Sequence, residues 1–245
     1  MKKYSVAIPS FNRAWSLPRA IESLLKQSFR DFDIWILDDG SIDNTREVMG
    51  ELMRNDKENK INYWRLDKNA ERCNAQNLLA GLSQTEWIIF LDSDDVLRQD
   101  ALEILEENTK RFPEAKLFNW GAVINWPDGK ITYRETFKPL VVGTGHEEFK
   151  SGKIGKGHFA FTKELWKSDF GGFPENARTF DEFSRETERL GLQPFYKNSA
   201  PMGNPWGDDW ILFYRLTRKN ISVPIDQDLY IQYVRTDNPH DYKKQ

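Results

Sequence analysis

The stretch that most constrains this chain is Trp87-Ile88-Ile89-Phe90-Leu91-Asp92-Ser93-Asp94-Asp95, a short apolar run that ends abruptly in three carboxylates spread over four positions. An apolar run of strand length reads as a buried strand of a parallel sheet. Carboxylates at the carboxyl end of such a strand stand where open α/β sheets bind ligands. Acids this close repel one another, so a positive charge is expected among them. A divalent cation held by hard oxygen ligands suits that place, and Mg²⁺ or Mn²⁺ typically brings a substrate diphosphate with it. The plainer reading is a strand followed by an acidic turn that caps the next helix.

The residues before this stretch repeat one pattern. Tyr4 to Ile8 reads as a strand stopped by Pro9. Leu17, Ala20, Ile21, Leu24 and Leu25 then recur at helical spacing, with Ser16 placed to cap and Pro18 tolerated in the first turn. Asp33 to Leu37 is a second strand ending in Asp38-Asp39-Gly40-Ser41. Asp43 is placed to cap a helix whose apolar face is Val48, Met49 and Leu52. A strand from Ile61 to Leu66 and a helix from about Ala70 to Leu82 lead into Trp87. Strand–helix alternation of this kind implies a parallel sheet with its strand ends on one edge. Asp38, Asp39, Asp92 and Asp94 are therefore expected to converge on one rim.

The pattern changes after Asp95. A helix is expected over about Asp100 to Arg111 and a strand over Lys116 to Asn125, with a turn at Trp126-Pro127-Asp128-Gly129-Lys130. Gly143 to Gly157 reads as a loop, and His158 to Phe161 as a short strand before a helical turn near Leu165. Phe180 to Leu190 reads as a charged helix, Gly203 to Trp206 as a break and Asp209 to Thr217 as another helix. Leu229 to Val234 is strand-like. No internal repeat or linker marks a second domain.

Composition narrows the function classes. At 245 residues the chain suits one α/β domain with a real core. A formal net charge of −3 argues against nucleic acid as a partner. The lone cysteine, Cys73, excludes an internal disulfide and suits a reducing compartment. No run approaches the ~18 apolar residues a spanning helix needs. The expectation is a soluble, cytoplasmic protein with peripheral membrane association at most.

In family order, the motifs are Ile8-Pro9-Ser10-Phe11-Asn12-Arg13, Gln27-Ser28-Phe29, Ile36-Leu37-Asp38-Asp39-Gly40-Ser41-Ile42-Asp43-Asn44-Thr45, Ala75-Gln76-Asn77 and Phe90-Leu91-Asp92-Ser93-Asp94-Asp95. With Gly171-Gly172-Phe173 and Gly207-Asp208-Asp209-Trp210 further on, the chain resembles the family 2 glycosyltransferases, inverting enzymes of the GT-A fold. The resemblance implies an α/β fold with a mostly parallel central sheet flanked by helices. It implies one domain over 1–245, with a nucleotide-sugar-binding half (1–95) and an acceptor-binding half (96–245). It implies metal-dependent transfer of a sugar from a nucleotide-diphospho-sugar, with UDP favoured, to a glycan, lipid-linked or protein acceptor. Pro9, Phe11, Asn12 and Arg13 would line the base and diphosphate. Asp39, with Asp38 as a second candidate, would accept a hydrogen bond from the base. Asp92, with Ser93, would meet the ribose and metal, and Asp94 would be the direct ligand of Mn²⁺ or Mg²⁺. Asp209, or Asp208 one position earlier, would be the general base.

Several positions depart from the family pattern. Gln76 replaces the usual Arg, with Arg72 a substitute and Asn77 retained. Residues 174–205 read as an insertion over the acceptor site. The C-terminal metal-site His is out of register, leaving His240 or Asp237. Each motif also has a plain reading. Asp38 to Thr45 alone is a turn and a helix cap, and Asp208-Asp209 alone is favourable charge at a helix start. Two rival functions follow. A sugar-phosphate nucleotidyltransferase would want a Gly-rich basic loop after the first strand, which Ser10 to Arg13 lacks. A non-catalytic nucleotide- or glycan-binding module would not need Asp209.

Overall fold

The structure is a computed structural model that describes residues 2–134, 159–170, 172, 216–217 and 220–234. Its chain order begins β1 (Tyr4–Ser10), α1 (Leu17–Leu25), β2 (Phe32–Asp38), α2 (Thr45–Asn55), β3 (Ile61–Arg65), α3 (Arg72–Leu82) and β4 (Trp87–Phe90). It continues with β5 (Val96–Leu97), α4 (Ala101–Arg111), β6 (Leu117–Asn125), β7 (Ile131–Arg134), β8 (Phe159–Thr162), the single turn α5 (Lys163–Leu165) and a π-helical turn over Trp166–Phe170. The last element is β9 (Val223–Tyr233). The strands form one sheet in the order β3-β2-β1-β4-β8-β6-β9-β5, with β7 paired to β6.

The parallel part is the part the alternation predicts: β2 and β4 flank β1, and β3 flanks β2, all parallel. Beyond β4 the sheet is mixed. β8 joins β4 and β6 antiparallel, and β7 pairs antiparallel with β6, whereas β9 runs parallel to β6. For β6 and β7 the physical reason is connection length. β6 and β7 are joined by the tight turn at Trp126–Lys130, which can only reverse the chain, whereas a parallel return needs a crossover.

The core is a continuous apolar layer. Ile8, Ile34, Ile36, Ile89, Phe118 and Tyr230 are fully buried in it, and Leu17, Ile21 and Leu24 of α1 pack on the sheet with the helical spacing that their sequence shows. Each such aliphatic side chain contributes about 1.5–3 kcal/mol by leaving water. At the end of β4 an aromatic block forms: Phe161 stacks on Trp166 with ring centroids 5.6 Å apart, and Phe90 meets each of them at 5.8 Å.

Several boundaries differ from the sequence reading. β1 runs through Pro9 to Ser10. Odd-numbered residues of β1 face β4, as the Leu91 amide bonding to the Ala7 carbonyl shows, and pairing with β4 ends at Ala7. The missing N–H of Pro9 therefore points where no ladder remains. Ser16 makes no side-chain cap; its hydroxyl donates to the Arg13 carbonyl at 3.4 Å. β9 begins at Val223, well before Leu229. It is irregular, advancing from Ile225 to Tyr230 while β6 advances only from Trp120 to Ala122. That bulge breaks the alternation by which a strand is recognised. The two-residue β5 carries no sequence signal of its own. The readings over 143–157, 174–205 and 180–190, and most of 209–217, lie outside the described residues. Among the described residues no helix is long and apolar enough to cross a membrane.

Candidate active site

Four loops meet at the C-terminal edge of the parallel strands, and hydrogen bonds between them define the site. Register places Ser10 beside Asp38, and the Asp39 amide bonds to the Ser10 carbonyl at 2.8 Å. The loop after β1 is sewn to the loop after β2. The Asn12 amide donates to Ser41 Oγ at 2.9 Å, and Asn12 Oδ1 accepts the Ile42 amide at 2.9 Å. Asn12 has a positive φ of 53°, a conformation Asn tolerates better than most residues. Asp43 works across the same seam. Its carboxylate accepts the Thr45 amide in the first turn of α2 and the Ala14 amide of the neighbouring loop. The cap position itself is Asn44, without a side-chain bond.

The loop after β3 closes on Gly40. Gly40 has φ +73°, and a Cβ there would lie 2.7 Å from the Asn69 nitrogen and the Lys68 carbonyl carbon. Only glycine meets both demands.

The acids that the sequence places on this edge have separate surroundings. Asp38 is fully buried and occupied within the chain. It accepts the Ser41 amide at 2.9 Å and the Tyr63 hydroxyl at 2.8 Å, and its carboxylate lies 3.2 Å from Arg65 Nε. Asp39 is also buried and accepts the Ala70 amide at 2.7 Å. Burial pushes its carboxyl up to about 6; the Ala70 N–H opposes this, and the charges of Glu71 and Asp38 add to it. Asp92 and Asp94 remain partly exposed. Asp92 Oδ1 lies 3.4 Å from Arg72 Nη2, and Asp94 Oδ2 lies 3.8 Å from Arg13 Nε. Ser93 between them is buried.

Asp95 turns away from these two. It is buried, accepting the Tyr230 hydroxyl at 2.6 Å and the Tyr233 amide at 2.8 Å. Burial, with the charges of Asp92 and Asp94, holds its carboxyl well above the usual range. The third carboxylate of the run is thus committed to β9, apart from the Asp92 and Asp94 carboxylates.

Hard carboxylate oxygens on Asp92 and Asp94, each already facing a guanidinium, fit a divalent cation chemically. Among the described residues no three His, Cys, Asp or Glu side chains converge as a metal cluster. Pro9 and Phe11 are partly exposed at the end of β1. Asn77 lies on α3 against Gly172; a Cβ on that glycine (φ +95°) would stand 3.1 Å from Asn77 Oδ1. Gln76 is buried, and among the described residues its Oε1 has no hydrogen-bond partner. Asp208, Asp209 and His240 lie outside the described residues. The sequence reading missed Arg65 and Tyr63, which hold Asp38, and Arg19, Tyr230 and Tyr233, which hold the Asp92–Asp95 turn. Neither group belongs to a motif; strand pairing brings in the tyrosines and Arg65, and the packing of α1 brings in Arg19.

Residues 5–164 match the family described as glycosyl transferase family 2. The chain is 39% identical over 217 residues to a GalNAc(5)-diNAcBac-PP-undecaprenol beta-1,3-glucosyltransferase of Campylobacter jejuni, covering 88% of this chain and 60% of that protein. It is 31% identical over 193 residues to the chondroitin synthase of Pasteurella multocida, covering 75% of this chain and 19% of the synthase. The fold is similar to Staphylococcus aureus TarS 1–349 in complex with UDP-GlcNAc, with a TM-score of 0.70 at 16% identity over 98% of this chain and 61% of that one. It is also similar to the Pyrobaculum calidifontis mannosyltransferase PcManGT in complex with GDP-Man and Mn²⁺, with a TM-score of 0.59 at 13% identity, over 98% of this chain and 59% of that one. The chain thus spans about 60% of the Campylobacter relative's length.

Two outcomes test this geometry. Gly40→Ala should destabilise the protein by about 2–3 kcal/mol, from the unfavourable φ and the backbone clash, read as a lowered urea midpoint at unchanged slope. Asp39 has its folded pKa raised above the unfolded value. Its neutral form is therefore the one folding favours, and stability falls as pH rises from about 4 to about 6. Asp39→Asn should accordingly be at least as stable as wild type at pH 7.5, and its advantage should shrink as pH falls to 4, in melts without ligand.

Proposed function

The chain belongs to glycosyl transferase family 2, and from that premise we propose that it transfers a sugar from a nucleotide-diphospho-sugar to a hydroxyl of a glycan, lipid-linked or protein acceptor, with inversion. The observation that carries this reading is the edge itself. Asp39, Asp92 with Arg72, and Asp94 with Arg13 stand on loops tied to one another at the ends of β2, β4 and β1. Such an edge offers an acceptor for a base, cations for a diphosphate and carboxylates for a metal.

UDP is the favoured nucleotide, carrying a hexose or N-acetylhexosamine. Asp39 is a buried acceptor suited to the N3–H of uracil, and TarS, with the same fold, has been captured with UDP-GlcNAc. The mannosyltransferase with GDP-Man keeps a guanine donor open. Pro9, Phe11 and Asn12 would flank the base, and Arg13 and Arg72 would pass from their carboxylates to the diphosphate. Ser93 and Asn77 would line the ribose and sugar side. Asp38, saturated within the chain, supports Asp39 and does not itself contact the base.

Asp94 and Asp92 would hold Mn²⁺ or Mg²⁺, which supplies positive charge to the leaving diphosphate. His240 is a further candidate ligand. Asp209, or Asp208, would take the proton from the acceptor hydroxyl as it attacks the anomeric carbon from the face opposite the diphosphate. A single displacement of this kind inverts the configuration. Residues 174–205 would shape acceptor choice.

The direct test is a thermal melt with UDP, GDP, CDP or ADP, each with Mn²⁺, Mg²⁺ or EDTA. UDP at ~100 times its Kd should stabilise by about 2.7 kcal/mol, a rise of about 5–11 °C. The rise should need the metal and vanish in Asp94→Ala. A protein that no nucleoside diphosphate stabilises would not be a transferase of this kind. Asp209→Asn should lower transfer roughly a thousandfold or more, the scale of a lost general base, with UDP affinity nearly unchanged.

A further inference from the structure

The turn bearing Asp92 and Asp94 has little structure of its own. It links the end of β4 at Phe90 to the two-residue β5, and its one internal backbone bond runs from the Asp95 amide to the Asp92 carbonyl at 3.1 Å. Carboxylates on so short a loop keep a useful geometry only if other elements hold them. Two elements do. From β9, the Tyr230 hydroxyl and the Tyr233 amide each donate to one oxygen of the buried Asp95 carboxylate, at 2.6 and 2.8 Å. From α1, Arg19 Nη2 donates to the Asp94 carbonyl at 2.5 Å, and its guanidinium carbon lies 3.8 Å from the centre of the Tyr233 ring. Tyr233 belongs to both grips, through its amide in one and its ring in the other, so the turn is clamped from two sides by one connected set of residues. The adjoining segment is held in the same way: β5 pairs with β9, and Arg98 bonds to the Asp228 carbonyl and Gln227 on the β9 bulge.

We propose that Asp95, Tyr230, Tyr233 and Arg19 form a positioning clamp that sets the Asp92 and Asp94 carboxylates for a metal-bound nucleoside diphosphate. This rests on the donor-site reading above. Asp95 and Tyr230 are buried and turned toward β9, so they act through the turn and not by contact with a ligand. Their removal should be felt as weakened metal-dependent nucleotide binding as well as lost stability. The division is physical. A hydrogen bond to a buried carboxylate stabilises the fold wherever it lies, but this one also holds the turn that presents Asp94.

The experiment compares Tyr230→Phe with Tyr4→Phe. Tyr4 is also a buried tyrosine bonded to a carboxylate, Glu106 Oε2 at 2.7 Å, but at the opposite end of β1. UDP is titrated calorimetrically into each protein with Mn²⁺ and with EDTA, and the melting midpoint is measured without ligand. Tyr230→Phe should weaken Mn²⁺-dependent UDP binding roughly tenfold, the scale of one bond to a charged group. Tyr4→Phe should lose stability while keeping the wild-type Kd. Arg19→Met, on the exposed side of the clamp, should weaken UDP binding in the same direction and carries the test if Tyr230→Phe does not fold. Wild-type Kd in both Tyr230→Phe and Arg19→Met would overturn the clamp and leave the donor site standing. If wild type itself binds no UDP with Mn²⁺, the donor-site reading fails and the clamp fails with it.

Discussion

The rest of the molecule depends on the parallel ladder that holds β1 between β2 and β4. Ser10 pairs with Asp38 on one side and Ala7 with Phe90 on the other, and the bonds from the Asp39 amide to Ser10 and from the Leu91 amide to Ala7 extend that register to the strand ends. Because parallel strands share one C-terminal edge, this pairing brings residues more than fifty positions apart in sequence to the same rim. Ile8, Ile34, Ile36 and Ile89 hold it there by burying their side chains in one core. A slip of one residue would turn every side chain to the other face.

Bringing so many acids to one edge has an electrostatic cost, and the structure meets it differently at each position. Asp38 is neutralised inward, by Arg65 and the donors of Tyr63 and Ser41. Asp39 is buried, and although it accepts the Ala70 amide its carboxyl is raised, chiefly by that burial. Asp92 and Asp94 share arginines at 3.4 and 3.8 Å, too long for tight pairs and short enough to cancel charge. Asp95 is bonded by Tyr230 and the Tyr233 amide, on the side of β9. Adjacent carboxylates of one motif thus separate into buried ones bonded within the chain and partly exposed ones, since a buried charge needs dedicated donors.

The second half of the sheet supports the first. β8 closes on β4 and brings the Phe90–Phe161–Trp166 aromatic block beneath the acidic turn. β9 reaches across β6 to pair with β5, and its bulge receives Arg98 from the segment that follows Asp95. The loops at the C-terminal edge are therefore held by residues from both ends of the described chain.

By itself, the sequence determined the β1-to-α4 alternation, the parallel edge and the identity of the residues on it, because those signals are local. Apolar periodicity marks each element, and the motif residues sit at the strand ends where ligands bind. It also led to the family, through motifs carried in order from Ile8 to Asp95. Strand reading fell short where local rules were suspended: β1 continues through Pro9 because β4 has already ended, and β9 hides its first residues behind a bulge. Only the tertiary structure decided which acids of a motif are spoken for. Asp38 and Asp39 are neighbours of the same type, as are Asp94 and Asp95, and nothing in their spacing distinguishes them. Their difference comes from Tyr63, Arg65, Tyr230 and Tyr233, donors delivered by strands distant in sequence, and a hydrogen bond across such a distance leaves no periodic trace in the chain.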